Sequence, residues 1–216
     1  MQNQNPVFTF IQNEPLIAFV LIAMSLTAGA FIIERLLAFR DFGNTGGAVF
    51  DDILKRARDG ADGEAMRLAL SQKGPVTGVS EVILKNASRP IDQVERLVQE
   101  AGEEHFHRLS RYLPVLDTIT TLSPLWGLFG TIVGMIQVFV NYSRAKDDVQ
   151  KSAILPSVGT ALYATAGGIL IALVCFIAYN YFAARRERII AETEMAANKL
   201  INVLLARGAF RSEPGS

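Results

Sequence analysis

Three long apolar runs constrain what this chain of 216 residues can fold into. They cover residues 15–33, 113–142 and 154–184; the first carries no charge, and the second carries only Asp117, near its start. A helix needs about 20 mostly apolar residues to cross a bilayer. Lipid offers no partner to a free backbone group, so each span is predicted to be helical. The sequence thus predicts an all-α integral membrane protein with three transmembrane helices.

The spans divide the chain into seven predicted segments. We predict an N-terminal segment over 1–14, a first span over 15–37, a polar helical region over 38–112, a second span over 113–142, a loop over 143–153, a third span over 154–184, and a C-terminal helix with a tail over 185–216. Glycine and proline divide the polar region into helices at 50–58, 63–72, 76–88 and 91–112. The last of these is expected to continue into the second span through Pro114.

The third span does not stop at the membrane surface. After Arg188, apolar positions recur at helical spacing, namely Ile189, Ile190, Thr193, Ala197, Leu200, Ile201, Leu204 and Leu205. Outside lipid such a stripe must be covered. Either the long helix before the second span or a neighbouring subunit is expected to cover it.

The charges predict the orientation of the chain. Basic residues gather on the cytoplasmic side of a membrane. The first fourteen residues contain none, whereas basic residues follow the first span, precede the second and follow the third. The loop over 143–153 carries three basic residues and two aspartates. Its basic residues are fewer than those that flank the spans on the other side. We therefore expect a bacterial inner-membrane protein with a periplasmic N-terminus and a cytoplasmic C-terminus. A formal net charge of zero gives no reason to expect a nucleic-acid partner.

The second span is two-sided on a helical wheel. Small or hydroxylated residues share a sector of about 100–120°, namely Thr120, Ser123, Pro124, Gly127, Gly130, Thr131, Gly134 and Asn141. Bulky residues fill the other side, namely Leu122, Leu125, Phe129, Ile132, Ile136, Phe139 and Val140. Since lipid is apolar all round the helix, the small face is predicted to meet protein or water, and the bulky face to meet lipid.

The third span shows the same division. Its small face holds Ser157, Ala161, Ala164, Thr165, Gly168, Ala172 and Tyr179, and the opposite face holds Leu162, Leu170, Leu173 and Ile177. Thr160 lies near the other margin of the small face. Small residues let helix backbones approach closely, so Gly130, Gly134, Ala161, Gly168 and Ala172 are predicted to pack helices together.

The polar residues of these faces have two interpretations. Their hydroxyls can simply bond back to carbonyls of their own helix. Alternatively, two spans that each carry a threonine in a small-residue face can form a polar path, and Pro124 frees a carbonyl about a turn before Gly127. Neither span has Glu, Lys, Arg or His in its depth, so a proton relay would need a carboxylate from another polypeptide.

Enzymatic signals are weak. His105 and His107 are two residues apart, which directs them about 200° apart on a helix, whereas helical zinc sites use i, i+4 spacing. No catalytic constellation is present, and we expect no enzyme activity, no bound cofactor and no metal.

Several segments resemble the ExbB/TolQ/MotA family of ion-driven motor subunits. The segment 122–135, LSPLWGLFGTIVGM, is similar to the APLLGLLGTVxGM signature of ExbB and TolQ. The segment 161–172, ALYATAGGILIA, followed by AYNYF at 178–182, is similar to that family's ALxATAxGLxxAI…YN segment, and IERL at 33–36 is also similar. The three-span layout resembles ExbB and TolQ rather than the four-span MotA.

The resemblance implies an oligomeric ion-driven motor. Such proteins form a homopentamer around two copies of an ExbD/TolR-like single-span partner, whose intramembrane aspartate carries the ion. A TonB/TolA-like protein is a further expected partner, and membrane lipid surrounds the assembly. By match to the family motif, Thr131 and Thr165 would be the pore hydroxyls, and we add Thr160, Ser123, Pro124 and Gly127 to the predicted ion path.

One residue departs from the family pattern. Members often carry glutamate five residues before the third-span threonine, where this chain has Thr160. Hydroxyl and carbonyl oxygens suit a hard cation as well as a proton relay. The transported ion is therefore expected to be H⁺, with Na⁺ as the alternative.

Two rival functions stay open at this stage. One is a MotA-like stator for flagellar or gliding motility, which would need a cytoplasmic surface that engages a rotor. The other is a non-conducting membrane scaffold, in which the threonines only pack helices. A scaffold should tolerate loss of both hydroxyls, whereas an ion path should not.

Overall fold

The computed structural model describes residues 11–12, 14–41, 47–145, 147 and 155–210. Most of the predicted segments 1–14 and 143–153, together with the tail from 211, lie outside this range. Within it the chain is α-helical without strands, as the apolar runs predict. Its helices are α1 (Pro15–Asp41), α2 (Gly47–Arg58), α3 (Asp62–Ser71), α4 (Pro75–Lys85), α5 (Ile91–Ser110), α6 (Leu113–Arg144) and α7 (Leu155–Ala206).

In the described part of the chain, three helical stretches are long and apolar enough to cross a membrane, which confirms the predicted number of spans; they are Pro15–Phe39, Ile91–Arg144 and Ala161–Ala206. The first lies in α1, the second runs through α5 and α6, and the third lies in α7. The chain divides into two compact units. We call residues 1–34 and 112–181 the membrane unit, and residues 35–111 and 182–216 the extramembrane unit. Residues 155–181 of α7 belong to the membrane unit, and residues 182–206 belong to the extramembrane unit.

The helix predicted over 91–112 leads into the second span through Pro114, with a two-residue turn between the two helices. A turn at Arg111 and Tyr112 separates α5 from α6, and Tyr112 has φ −115° and ψ 1°. Pro114 has no N–H to offer to the Ser110 carbonyl, so it belongs in the first turn of a new helix, where that N–H has no helical partner.

The extramembrane unit has a core of large aliphatic side chains. Ile53, Ile83, Val94, Leu200 and Leu204 are completely buried and bring α2, α4 and α5 together with α7. The apolar stripe of α7 therefore packs on helices of its own chain, including the long helix that the sequence analysis named. Leu205 is the exception in that stripe, since 51% of it is exposed.

Two arginines of the extramembrane unit donate to carbonyls in the last turns of helices. Arg35, only 4% exposed, donates to the carbonyls of Arg108 and Leu109 at 3.0 and 3.1 Å. Arg207 donates to the Ala57 carbonyl and pairs with Asp62, with Nη1 and Oδ1 2.7 Å apart. Each arginine fixes the end of a helix that is distant in sequence.

Candidate ion-path site between the second and third spans

Glycines bring α6 and α7 into backbone contact. A Cβ on Gly127 would lie 2.7 Å from the carbonyl oxygen of Ala164 and 2.9 Å from the Cα of Thr165. A Cβ on Gly168 would collide with the carbonyl oxygen of Ser123. Side chains larger than hydrogen therefore do not fit at either position, and the helices approach as closely as their backbones permit.

The contact continues along the predicted packing residues. A Cβ on Gly134 would lie 2.7 Å from the Cβ of Ala161, and one on Gly130 would lie 2.7 Å from the Cβ of Ala164 and 2.9 Å from the Cγ2 of Ile17 on α1. Ala161 and Ala172 are buried as well. The small face of α6 thus meets protein from both α7 and α1.

The two predicted pore threonines lie in this contact and touch each other. The hydroxyls of Thr131 and Thr165 are in hydrogen-bond contact, and either can be the donor. Thr165 Oγ1 lies 3.0 Å from the carbonyl oxygen of Gly127. Thr131 Oγ1 lies 3.3 Å from the same oxygen and 3.3 Å from that of Ala161. Four oxygen atoms from two helices therefore converge on one place.

This oxygen cluster has more hydrogen-bond acceptors than donors. Two hydroxyls supply only two protons to four oxygens, and each hydroxyl has further lone pairs. Both threonines are partly exposed rather than buried. The cluster can therefore donate a hydrogen bond to a carboxylate, or its oxygens can coordinate a hard cation or a hydrated proton. Both interactions are needed in an ion path.

Ser123 and Pro124 form a second polar place on α6. The Ser123 side chain is fully buried, and its Oγ has no hydrogen-bond partner in the described part of the chain. Neighbouring Thr120, by contrast, donates to the Leu116 carbonyl at 2.9 Å. Pro124 lacks an N–H, so the Thr120 carbonyl loses its usual helical donor. A buried hydroxyl and a freed carbonyl one turn from Gly127 can hold a water molecule.

The structure thus gathers most of the predicted path residues along the contact of α6 with α7. Ser123, Pro124, Gly127, Thr131 and Thr165 follow one another there. Gly127 contributes both the close helix approach and a carbonyl of the oxygen cluster. The side chain of Thr160 lies outside the described residues, so its place in the path stays a prediction.

The bulky faces of both spans point away from this contact. On α6, 55% of Leu125 and 65% of Phe139 are exposed, and on α7 62% of Leu170 is exposed. Exposed apolar side chains at this density need lipid or further subunits around them.

Glu14 directly precedes α1 and was not among the predicted site residues. Its Oε1 lies 3.9 Å from the place of a Cβ on Gly134. In the sequence, the only indication of a role for this residue was an acidic side chain next to an uncharged span. Only the packing of α1 on α6 shows which face the carboxylate meets.

These observations define an integral membrane protein with a polar site between two of its spans. Residues 46–195 match the MotA/TolQ/ExbB proton channel family, and the chain belongs to that family. It is 29% identical to the Tol-Pal system protein TolQ of Pseudomonas aeruginosa over 88% of this chain and 86% of the relative. It is 26% identical to a putative biopolymer transport protein, ExbB-like 3, of Synechocystis over 77% and 80%. Biopolymer transport protein exbB1 of Vibrio cholerae is 29% identical over 44% and 42%.

Proposed function

We propose that this chain is an ion-conducting subunit of a motor in the bacterial inner membrane. With an ExbD/TolR-like single-span partner that carries an intramembrane aspartate, it converts the proton or sodium motive force into mechanical work on the cell envelope. TonB-dependent import and Tol-type function are the processes it would serve, with a TonB/TolA-like protein receiving the work. A homopentamer, with its N-terminus in the periplasm, is the proposed assembly.

One observation carries this proposal: the hydroxyls of Thr131 and Thr165 meet in a contact of small residues, in which Gly127, Ala161 and Ala164 surround them. For packing alone, alanine would fill such positions without a polar group. The oxygen cluster they form with the Gly127 and Ala161 carbonyls is the arrangement that a partner's aspartate or a cation needs when it passes through a low-dielectric region. Membership in a proton channel family supports the same function.

The chain supplies no intramembrane carboxylate opposite the threonines, because the depth of its second and third spans contains no Glu or Asp. A relay that moves protons across the membrane needs a titratable group there. The proposal therefore requires a partner chain, and the aspartate of a single-span protein is the group that completes the path.

Ion flux in proteoliposomes tests the proposal. The full chain and its single-span partner are reconstituted, and flux is followed under separate H⁺ and Na⁺ gradients. Thr131→Val and Thr165→Val keep the side-chain shape and remove the hydroxyl. A hydrogen bond to a charged group contributes about 1.5–3 kcal/mol, so each variant should lower flux by about tenfold or more. The gradient that drives wild-type flux identifies the ion.

Thr27→Val is the matched control. Thr27 lies in the span of α1, and its hydroxyl donates to the Ala23 carbonyl of its own helix at 2.7 Å. Its replacement should leave flux unchanged. Flux that survives both Thr131→Val and Thr165→Val, in complexes of unchanged size, would contradict the proposal and favour a scaffold in which the threonines only pack.

A further inference from the structure

Glu14 places a carboxylate at the end of the membrane unit where α1 begins. Its carbonyl accepts the N–H of Ala18 at 3.0 Å, so the residue occupies the N-cap position of α1. Its side chain is partly buried, and Oε1 lies 3.9 Å from the place of a Cβ on Gly134. The carboxylate of α1 therefore lies against the small-residue face of α6.

Gly134 connects this carboxylate to the oxygen cluster. It follows Thr131 by three residues, which is about 4.5 Å of helix rise. It also packs on Ala161, whose carbonyl oxygen lies 3.3 Å from Thr131 Oγ1. The carboxylate, Gly134 and Thr131 thus follow one another along the small-residue face of α6.

Among the described residues, few ionisable groups lie near Glu14. In the part of the chain that the structure describes, Glu14 takes part in no ion pair. On α6 the ionisable groups closest to Gly134 are Tyr142 and Arg144, about 12 and 15 Å of helix rise further on. On α7 it is Tyr163, which is 44% exposed. Partial burial raises the pKa of the Glu14 carboxyl.

We propose that Glu14 is the entry site of the ion path, where its carboxylate binds H⁺ or Na⁺ and passes the cation to the Thr131–Thr165 hydroxyls. This inference rests on the proposed function and adds to it an acidic group that belongs to this chain. Carboxylate and hydroxyl oxygens are the ligands that hard monovalent cations and protons use. Gly134 adds no side chain of its own between the carboxylate and the hydroxyls, and the Ala161 side chain packs against it.

The same residue has a simpler explanation, because a carboxylate at a helix N-terminus stabilises the helix through its dipole. The two explanations differ in what they predict for Glu14→Gln. Loss of a helix-end charge lowers the Tm of the complex and leaves flux per complex unchanged. Loss of an entry site lowers flux in complexes whose Tm is close to that of the wild type.

Flux in proteoliposomes that hold the full chain and its partner is the first measurement. Glu14→Gln should lower it by about tenfold or more, since the variant cannot bind a proton or a cation by charge. Glu14→Asp should restore part of the flux. Glu100→Gln, on the exposed side of α5, is the matched control and should conduct like the wild type.

Labelling with a hydrophobic carbodiimide, read by mass spectrometry, gives a second measurement that needs no flux. This reagent modifies protonated carboxyls in apolar surroundings. Glu14 should be modified faster than Glu100, and raising the pH or adding Na⁺ should protect it, depending on which cation binds.

The outcomes separate the two proposals. Flux that is lost in Thr131→Val and retained in Glu14→Gln overturns the entry site and leaves the motor function in place. A wild type that conducts neither ion overturns the motor function, and labelling then still decides whether Glu14 binds a cation. A labelling rate of Glu14 equal to that of Glu100 at every pH and Na⁺ concentration overturns the cation site.

Discussion

The two units of this protein hold their helices together in opposite ways. In the membrane unit, α6 and α7 meet where side chains are missing, at Gly127 and Gly168. In the extramembrane unit, α7 meets the other helices through completely buried large residues such as Leu200 and Leu204. The difference follows from the solvent: water drives apolar side chains together, whereas lipid does not, so close backbone contact has to supply the attraction.

The largest effect is expected from removing side-chain volume in the extramembrane unit. Leu200→Ala should lower the free energy of unfolding by about 2–5 kcal/mol. It removes buried apolar atoms and leaves a cavity, because the surrounding side chains relax only partly into the space. Thermal unfolding of the purified protein in detergent measures the loss. Leu205→Ala is the matched control on the same helix, where the side chain is half exposed and its removal should change the Tm little. Equal losses from both variants would contradict the division between core and surface drawn here.

The opposite change should matter in the membrane unit. Gly168→Ala adds a single methyl group where the Ser123 carbonyl leaves no room, and overpacking of this kind costs about 1–3 kcal/mol. We expect a lower Tm and a lower yield of assembled complex. Gly167→Ala is the control, since a Cβ there meets nothing within 4 Å, and alanine is the better helix former. If both variants behave like the wild type, close glycine contact does not hold these spans together.

The residues that could be predicted from sequence are those whose role follows from periodicity in a single helix. The small face of the second span is an example: Ser123, Gly127, Gly130 and Gly134 are buried. The lipid environment explains this pattern, because small residues stabilise the protein where they let two helices pack closely and not where they face lipid. The apolar stripe of α7 was predictable for the same reason, since a helix outside lipid buries its apolar side.

The residues that were missed act between segments far apart in sequence. Arg35 binds carbonyls 73 and 74 residues further along the chain, and Glu14 reaches the face of α6. Periodicity places a residue on a face of its own helix, but it does not say which turn of another helix that face will meet. The form of the turn before α6 could not be predicted for a different reason, because Pro114 is compatible with either a kinked helix or a new one.

The smallest effect is expected on the pH dependence of stability in the extramembrane unit. It involves His105, whose side chain packs against a glycine. A Cβ on Gly78 of α4 would lie 2.7 Å from Nε2 of His105 on α5. Burial lowers the pKa of His105, and Arg108 lowers it further, against the opposing effect of Glu104. Between this lowered value and about 6.5, the pKa of an unfolded histidine, the unfolded chain binds more protons than the folded one. The contribution of His105 to the free energy of unfolding is therefore fully present above about pH 6.5, and it is lost as the pH drops below that value.

His105→Gln should remove this part of the pH dependence, and His107→Gln, at an exposed position two residues on, should keep it. The measurement is the difference in Tm between pH 7.5 and about pH 5.5 for the three proteins, a window chosen to bracket the histidine value. The effect should be smaller than that of either packing variant, because the imidazole is only partly buried and solvent screens its charge. A larger loss of Tm on acidification in His105→Gln than in the wild type would reverse the predicted sign. It would mean that protonated His105 stabilises the contact with α4, and that the glycine at position 78 accommodates a charged ring rather than a neutral one.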